Sequence, residues 1–402
     1  MNNTSIYDVI IVGAGASGLI CALECARAKK RVLILEKTPL PGRKILVSGN
    51  GRCNFTNRFV SPKSYFTDEQ LITSVLHQFS FQDCLNYFSD LGVLYTEEVN
   101  GRYFPSTGKA TAITDAFKAA LTEKSVEILC NQEVLRIKHN KLFNVHTADS
   151  AFQSSKLVLA CGSCAYPQVS GSSSGYQLAK QLGHTVIPPL ASLSGLVLKE
   201  NFSRLAGIRT QARLTYNGTT AEGEIIFTNY GINGPAALNL SPLLTRKLAQ
   251  GNQTLTINFL PQVKEIQHFL ANRAQQFSHR KPKDFFAGIL HESIANLLID
   301  FKGLRKNKPL KEQSPSSLQS AFQTLEKWPV TVTSLRPWNE AMVAAGGVNT
   351  REINYNTFES RLCPGLFITG ELLDVDGVSG GFNLHFAWAS GFVAAQELRK
   401  EN

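Results

Sequence analysis

The sequence is short of the features that staple, export or embed a chain. Eight cysteines among 402 residues (Cys21, Cys25, Cys53, Cys84, Cys130, Cys161, Cys164 and Cys363) are too few for a disulfide scaffold, so free thiols in a reducing cytoplasm are expected. The start, MNNTSIYDVI, has no basic segment leading into an apolar core and gives no secretory signal. The apolar stretch from Val9 to Leu23 is shorter than the roughly 20 residues of a membrane span and is interrupted by glycines, so no membrane association is expected. No metal site and no motif fixing an oligomeric state are expected either. Carboxylates are also scarce: 31 Asp and Glu face 41 Lys and Arg, a net charge of +10. Between Leu196 and Leu335 the balance is 17 Lys and Arg to 9 Asp and Glu, so most of the excess sits in about a third of the chain. Such a stretch can attract nucleic acid, a membrane surface or an anionic substrate; its simpler reading is solvated surface charge.

What is present is an ordinary globular composition, 43% hydrophobic and 18% charged, long enough for two or three domains. The informative stretch is YDVIIVGAGASGLICALECARAKKRVLILEK, residues 7 to 37. Val9 to Val12 reads as a strand buried on both faces, Leu19 to Ala28 as a helix, and Arg31 to Leu35 as a second buried strand ending in Glu36. Between strand and helix lies Gly13-Ala14-Gly15-Ala16-Ser17-Gly18, a G-x-G-x-x-G. Gly13 permits the turn, Gly15 lets backbone approach a pyrophosphate, and Gly18 lets helix pack on strand. The helix start offers free N–H groups and a positive dipole end to phosphate. Glu36, 18 residues past Gly18, is placed to accept from ribose hydroxyls and favours FAD or NAD over NADP.

The next segment separates FAD from NAD. After Glu36-Lys37 the chain reads as a long loop with Gly42, Arg43 and Lys44, then Ser48-Gly49-Asn50-Gly51-Arg52-Cys53-Asn54. Its cations and backbone N–H groups suit a second approach to a pyrophosphate or flavin edge. Helical stretches at Glu69 to Leu91 and Thr111 to Thr122, a strand at Val126 to Leu129, a meander at Glu133 to His139 and Leu142 to Thr147, and the strand KLVLACG follow. Near the C-terminus Leu366 to Thr369 ends at Gly370-Glu371, and a turn with Asp376, Gly377, Gly380 and Gly381 leads into a long apolar helix from Phe382-Asn383. That second helix start can face a flavin's pyrimidine end, and Glu371 its ribityl hydroxyls. No second G-x-G-x-x-G follows a strand, so a resident NAD(P)H domain is not expected, and NAD(P)H is a transient electron donor at most.

These segments resemble the two-dinucleotide-binding flavoproteins of glutathione-reductase-like topology, and more closely the YhiN/BaiN-type FAD-binding oxidoreductases, the "aminoacetone oxidase family". The likeness rests on VGAGASGL, GRKILVSGNGRCN, YPQVSGSSSGYQLAKQLGH, GEIIFTNYGINGPAALNLS, AAGGVNTREINYNTFESRL and TGELLDVDGVSGGFN, in that order. It implies an α/β fold: a Rossmann-like FAD domain from residues 1–193 and 336–402, carrying an inserted β-barrel (194–261) and helical subdomain (262–335). It implies tight, non-covalent FAD held by residues 13–18, Glu36-Lys37, 42–44, 48–54, Val134 (backbone to adenine), Ala160-Cys161-Gly162, Gly370-Glu371, Asp376 and Gly380 to Asn383. Where the family reads A-T-G-G this chain has ACGS; Asn229 replaces a histidine in FTNYGINGP; SGSSSGY lacks an Asp. The activity implied is FAD-dependent oxidation or reduction of a small molecule. A tRNA-modifying, RNA-binding flavoprotein using the basic insert is the alternative, for which RKPKDFF supplies a little aromatic interleaving and KGLRKNKPLK none; a flavin-binding protein without turnover is a third. Cys161-x-x-Cys164 is a redox-dithiol candidate and Cys53 a thiol beside the flavin, each set against simple packing. Tyr166, Asn229, Tyr230 and His385 join Arg52 and Asn383 as pocket candidates, with no catalytic base assigned.

Overall fold

In the computed structural model, residues 6–400 are described. Among them, seven strands form one sheet: β1 (Tyr7–Val12), β2 (Val32–Glu36), β3 (Glu127–Cys130), β4 (Arg136–His139), β5 (Phe143–His146), β6 (Ala151–Leu159) and β7 (Leu366–Ile368). β1 and β2 are apolar runs buried nearly throughout, as strands covered on both faces must be. The parallel order is β3-β2-β1-β6. The outer edge of β6 is divided. Ala151 to Ser154 pair with antiparallel β5, which continues to β4, while Leu157 to Leu159 pair in parallel with β7. The two ends of the chain thus share a sheet, and the carboxyl ends of β1 and β6 flank its topological switch point.

Three helices position the site: α1 (Ala16–Arg27), α2 (Arg43–Gly51) and α3 (Phe382–Leu398). A Cβ on Gly391 would land on the Ser17 carbonyl oxygen, so α3 lies directly against the start of α1. At the far end Glu24 binds both Arg27 (2.7 Å) and Arg399 (2.9 Å).

Residues 192–340 form a second compact unit, with 1–191 and 341–402 as the first. Its core is a closed barrel of Leu196–Leu198, Gly231–Asn233, Thr219–Phe227, Arg209–Tyr216, Gln253–Asn258 and Trp328–Leu335. Period-two alternation puts Leu214, Ile225, Phe227, Leu255 and Ile257 inside.

Five expectations change. Trp328–Leu335 is the barrel's sixth strand, not part of a helical segment, because WPVTVTSL buries Trp328, Val330 and Val332 in alternation. The segment expected as pure barrel contains the helix Pro235–Leu248, and the helical insert is Ile266–Gln276, Pro282–Phe286, Glu292–Phe301 and Pro315–Glu326. The unit boundaries fall at 191/192 and 340/341 rather than at 193/194 and 335/336. Arg43 to Val47 are helical rather than loop, with Ser48, Gly49 and Asn50 leaving helical backbone angles, and Glu69 to Leu91 is two helices, Glu69–Gln78 and Phe81–Asp90, split where Ser80 and Asp83 form a capping box.

Candidate functional site

The candidate cofactor residues of the first unit collect at the carboxyl edge of the parallel strands. Gly13 leaves β1 with φ +105° and donates to the Leu35 carbonyl at 2.8 Å. A Cβ there would stand 2.5 Å from the Ala160 oxygen, so Gly13 also keeps β1 and β6 together at the switch point. At Gly18 a Cβ would fall on the Gly13 oxygen, which enforces the tight strand-to-helix turn. Gly15 differs: space for at least 4 Å around its absent Cβ is open, and the same holds at Gly162 on the loop after β6. α1 and α3 both begin on glycine, Gly15 and Gly381, with no side-chain cap and no acidic residue in the first turn. Their first N–H groups are therefore left for another acceptor.

The 48–54 segment is a kinked end of α2. Asn50 and Cys53 take left-handed φ near +56° and +59°, and Cys53 N–H donates to Ser48 O at 2.9 Å. Gly42 starts α2 and donates to Ala14 O at 2.8 Å, docking this helix on the dinucleotide turn. The chain then runs against the start of α3. A Cβ on Gly381 would stand 2.6 Å from the Thr56 oxygen, Asn57 Nδ2 donates to Gly380 O (2.9 Å), and Trp388 Nε1 donates to Phe55 O (3.2 Å). The N-terminal loop and the C-terminal helix start, over 300 residues apart, form one wall.

Four of the charged candidates, Glu36, Lys44, Arg52 and Glu371, are already engaged by the protein. Glu36, at the end of β2, accepts from Ala14 N (2.7 Å), Thr38 N (2.8 Å) and Thr38 Oγ1 (2.7 Å), which leaves one lone-pair site. Glu371 binds Lys44 Nζ (2.5 Å), Ser163 Oγ (2.6 Å) and Ala344 N (3.0 Å). Arg52 pairs with the Glu98 carboxylate and lies 4.3 Å above the Phe104 ring. Asn383 closes the 377–383 turn by accepting from Gly377 N and donating to Gly377 O. Val134 and Phe382 are buried, as is Asp376, whose carbonyl accepts from Phe66 N. Half-buried Tyr166 has φ +62° on the loop after β6.

The thiols are packed rather than poised. All eight cysteines are free. Burial pushes the Cys53 thiol up to about 12 and Cys161 likewise, with Cys164 also raised by burial, so none is a thiolate near neutrality. His385 is fully buried, with Nδ1 2.8 Å from Thr56 Oγ1, and burial lowers its pKa to about 4, keeping it neutral. Asn229 and Tyr230 belong to the second unit, where Tyr230 lies under Arg336 (4.3 Å) and accepts from Asn233 (3.1 Å).

Ser163, Thr56, Asn57 and Ser390, whose Oγ accepts from Gly370 N at 2.9 Å, carried no local signal. Each holds a loop by a hydrogen bond to a segment remote in sequence. Two buried polar atoms beside the edge, Asn54 Oδ1 and Thr369 Oγ1, have no hydrogen-bond partner among the described residues. Open Gly15 and Gly162 together with two uncapped helix starts fit an elongated anionic ligand such as FAD.

Comparison with known proteins agrees. The HI0933-like protein Rossmann domain family matches residues 7–397. The chain belongs to this family. It is thus a FAD-binding oxidoreductase of the YhiN/BaiN type. It is 32% identical over 399 residues to a 3-dehydro-bile acid delta(4,6)-reductase of Clostridium scindens, covering 96% of this chain and 97% of that one. It is also 32% identical to a ribosomal RNA dihydrouridine synthase of Escherichia coli, covering 98% of each. Among solved structures, the 3-ketosteroid-delta4-(5alpha)-dehydrogenase of Rhodococcus jostii RHA1 shares the fold, with a TM-score of 0.53 and 15% identity over 100% of this chain and 99% of that one.

Proposed function

We propose that the chain is an FAD-dependent reductase that saturates a carbon–carbon double bond conjugated to a carbonyl in a small cyclic molecule, with NAD(P)H as the transient reductant. The observation that carries the cofactor assignment is the pair of uncapped helix starts, Gly15 and Gly381, at one edge of the sheet beside open Gly15 and Gly162. In this reading residues 13–18 and the start of α1 hold the pyrophosphate, and Glu36 uses its remaining lone pair for ribose. Gly42 to Lys44, residues 48–54 and the start of α3 line the flavin end, with Lys44 and Ser163 fixing Glu371. FAD, when bound, supplies the hydride chemistry; the chain orients it and excludes water. The substrate class is supported by the two 32% relatives, one named a delta(4,6)-reductase of a 3-dehydro-bile acid and the other a dihydrouridine synthase. Anaerobic absorbance tests it: NADH or NADPH bleaches the flavin, and a cyclic enone restores its colour. A flavin that neither nicotinamide bleaches, or that no enone reoxidises, overturns it.

A second reading takes the double bond in uridine of ribosomal RNA. It is favoured by the full-length likeness to the Escherichia coli synthase and by the basic balance of the insert. Nucleoside mass spectrometry of ribosomal RNA from cells with and without the gene decides it: an unchanged dihydrouridine content removes this reading.

A further inference from the structure

The helical part of the insert carries a basic edge that no step of flavin binding uses. Two loops build it, residues 277–281 (Phe-Ser-His-Arg-Lys) and 302–311 (Lys-Gly-Leu-Arg-Lys-Asn-Lys-Pro-Leu-Lys). Backbone bonds lock them side by side: Leu310 N donates to Arg280 O and Lys311 N to Ser278 O, both at 2.9 Å. Buried Gln313 braces the second loop, accepting from Arg305 N and donating to Arg305 O and Lys308 O, each at 2.8 Å. The cations are thus presented from a fixed backbone.

Some of them are neutralised locally, Lys306 by Asp300 (2.6 Å) and Lys308 by Glu312 (3.2 Å). Among the described residues no carboxylate pairs with Arg280, Lys281, Arg305 or Lys311. Arg280 instead has its guanidinium carbon 3.9 Å from the centre of the Phe277 ring, and that of Arg273 stands 4.9 Å from the same ring, so two guanidinium groups share one aromatic. Arg273 is held by the carbonyls of Phe285 (3.0 Å) and Ala287 (3.2 Å), so of the two guanidinium groups it is Arg280 that faces the ring without an acceptor among the described residues. A guanidinium plane fixed on a ring is also a surface on which a nucleobase stacks, while Lys281, Arg305 and Lys311 are exposed for phosphates. The aromatics of RKPKDFF do not serve here, because Phe285 and Phe286 are fully buried.

We infer that this edge, Arg280 on Phe277 with Lys281, Arg305 and Lys311, is a docking surface for single-stranded or looped RNA. Its use in catalysis rests on the uridine reading, but its place rests on the insert alone. Binding is therefore measured on the flavin-loaded protein without reductant, so that failure to bind and failure to reduce are separate results. Fluorescence anisotropy with a labelled single-stranded RNA of about 20 nucleotides at about 50 mM salt is the assay. The variant R280E/K281E/R305E/K311E should bind at least about tenfold more weakly, and its log–log salt slope should shrink by about 0.7 for each phosphate no longer neutralised. The charge-matched variant K118E/K124E/K138E/K141E, altered in the first unit, should bind as the parent does. Unchanged flavin absorbance and melting temperature show that the edge variant is folded. If the parent does not bind RNA, if both variants lose binding equally, or if anionic phospholipid vesicles or polyglutamate bind at this edge and RNA does not, the inference falls.

Discussion

The two units of this protein differ in where their open glycines stand. In the flavin unit, Gly13, Gly18 and Gly381 are each backed by another segment's backbone, whereas Gly15 and Gly162 face open space. The first group shapes the protein and the second leaves room for something that is not protein. In the barrel unit, Gly231 and Gly234 are of the first kind: a Cβ at Gly231 would collide with the Leu196 oxygen, and at Gly234 would stand 2.6 Å from the Glu224 oxygen. Open glycines occur in the barrel unit too, at Gly207, Gly218, Gly251, Gly288 and Gly303, but none of them starts a helix, whereas Gly15 begins α1 at the carboxyl edge of the sheet.

The largest test sets the two kinds of closeness against each other. Gly18→Val is expected to abolish FAD retention, read as loss of flavin absorbance after purification. Gly231→Ala should destabilise the barrel by about 3 kcal/mol or more, seen by calorimetry, yet leave the flavin bound. A Gly231 variant that also loses FAD would break the division between the units.

Acid should act on the flavin unit through its buried histidines. His385, with a pKa lowered by burial to about 4, stays neutral when folded but takes a proton when unfolded at its ordinary 6.5. The unfolded state then binds more protons between pH 6.5 and 4, so stability falls as pH drops through that window, by about 2 kcal/mol at pH 5. Burial lowers His184 as well, in the same direction; it sits between Glu352 (3.0 Å) and Ser360 (2.8 Å). Melting curves from pH 7 to 5 measure the slope, and His385→Gln should flatten it.

Gly15→Ala isolates the reserved gap. Its new methyl meets no protein atom within 4 Å, so the melting temperature of the flavin-free protein should not move. FAD affinity should fall about tenfold, or roughly 1.4 kcal/mol, by titration calorimetry. An unchanged affinity would mean the pyrophosphate lies elsewhere. The smallest effect is expected from C161S/C164S. Neither thiol ionises near neutrality and they are not bonded, so the double variant should keep flavin reduction within about twofold and stability within about 0.5 kcal/mol. Loss of flavin reduction would restore the dithiol as a working part.

Much of the flavin unit was legible because its constraints are local. A strand ending at Gly13, a helix from Gly18 and an acid at Glu36 follow one another within 30 residues, and each spacing answers one physical need. The barrel's closing strand was not, because Trp328–Leu335 follows a helix and finds its partners near residues 196 and 255, over 70 residues back. The protein partners of Arg52 were hidden for a similar reason: no residue beside it in sequence reveals that Glu98 and Phe104 will hold it.

The sequence by itself determined the cofactor class and the α/β framework, since glycine spacing and apolar periodicity act within one turn or one strand. Only the tertiary structure decided which charges remain available. Among the described residues it joined Lys44 to Glu371, Arg52 to Glu98 and the 54–57 segment to Gly381, while leaving Arg280, Lys281, Arg305 and Lys311 without a carboxylate. A side chain's charge is fixed by its type, but whether it is neutralised depends on which distant segment folds against it.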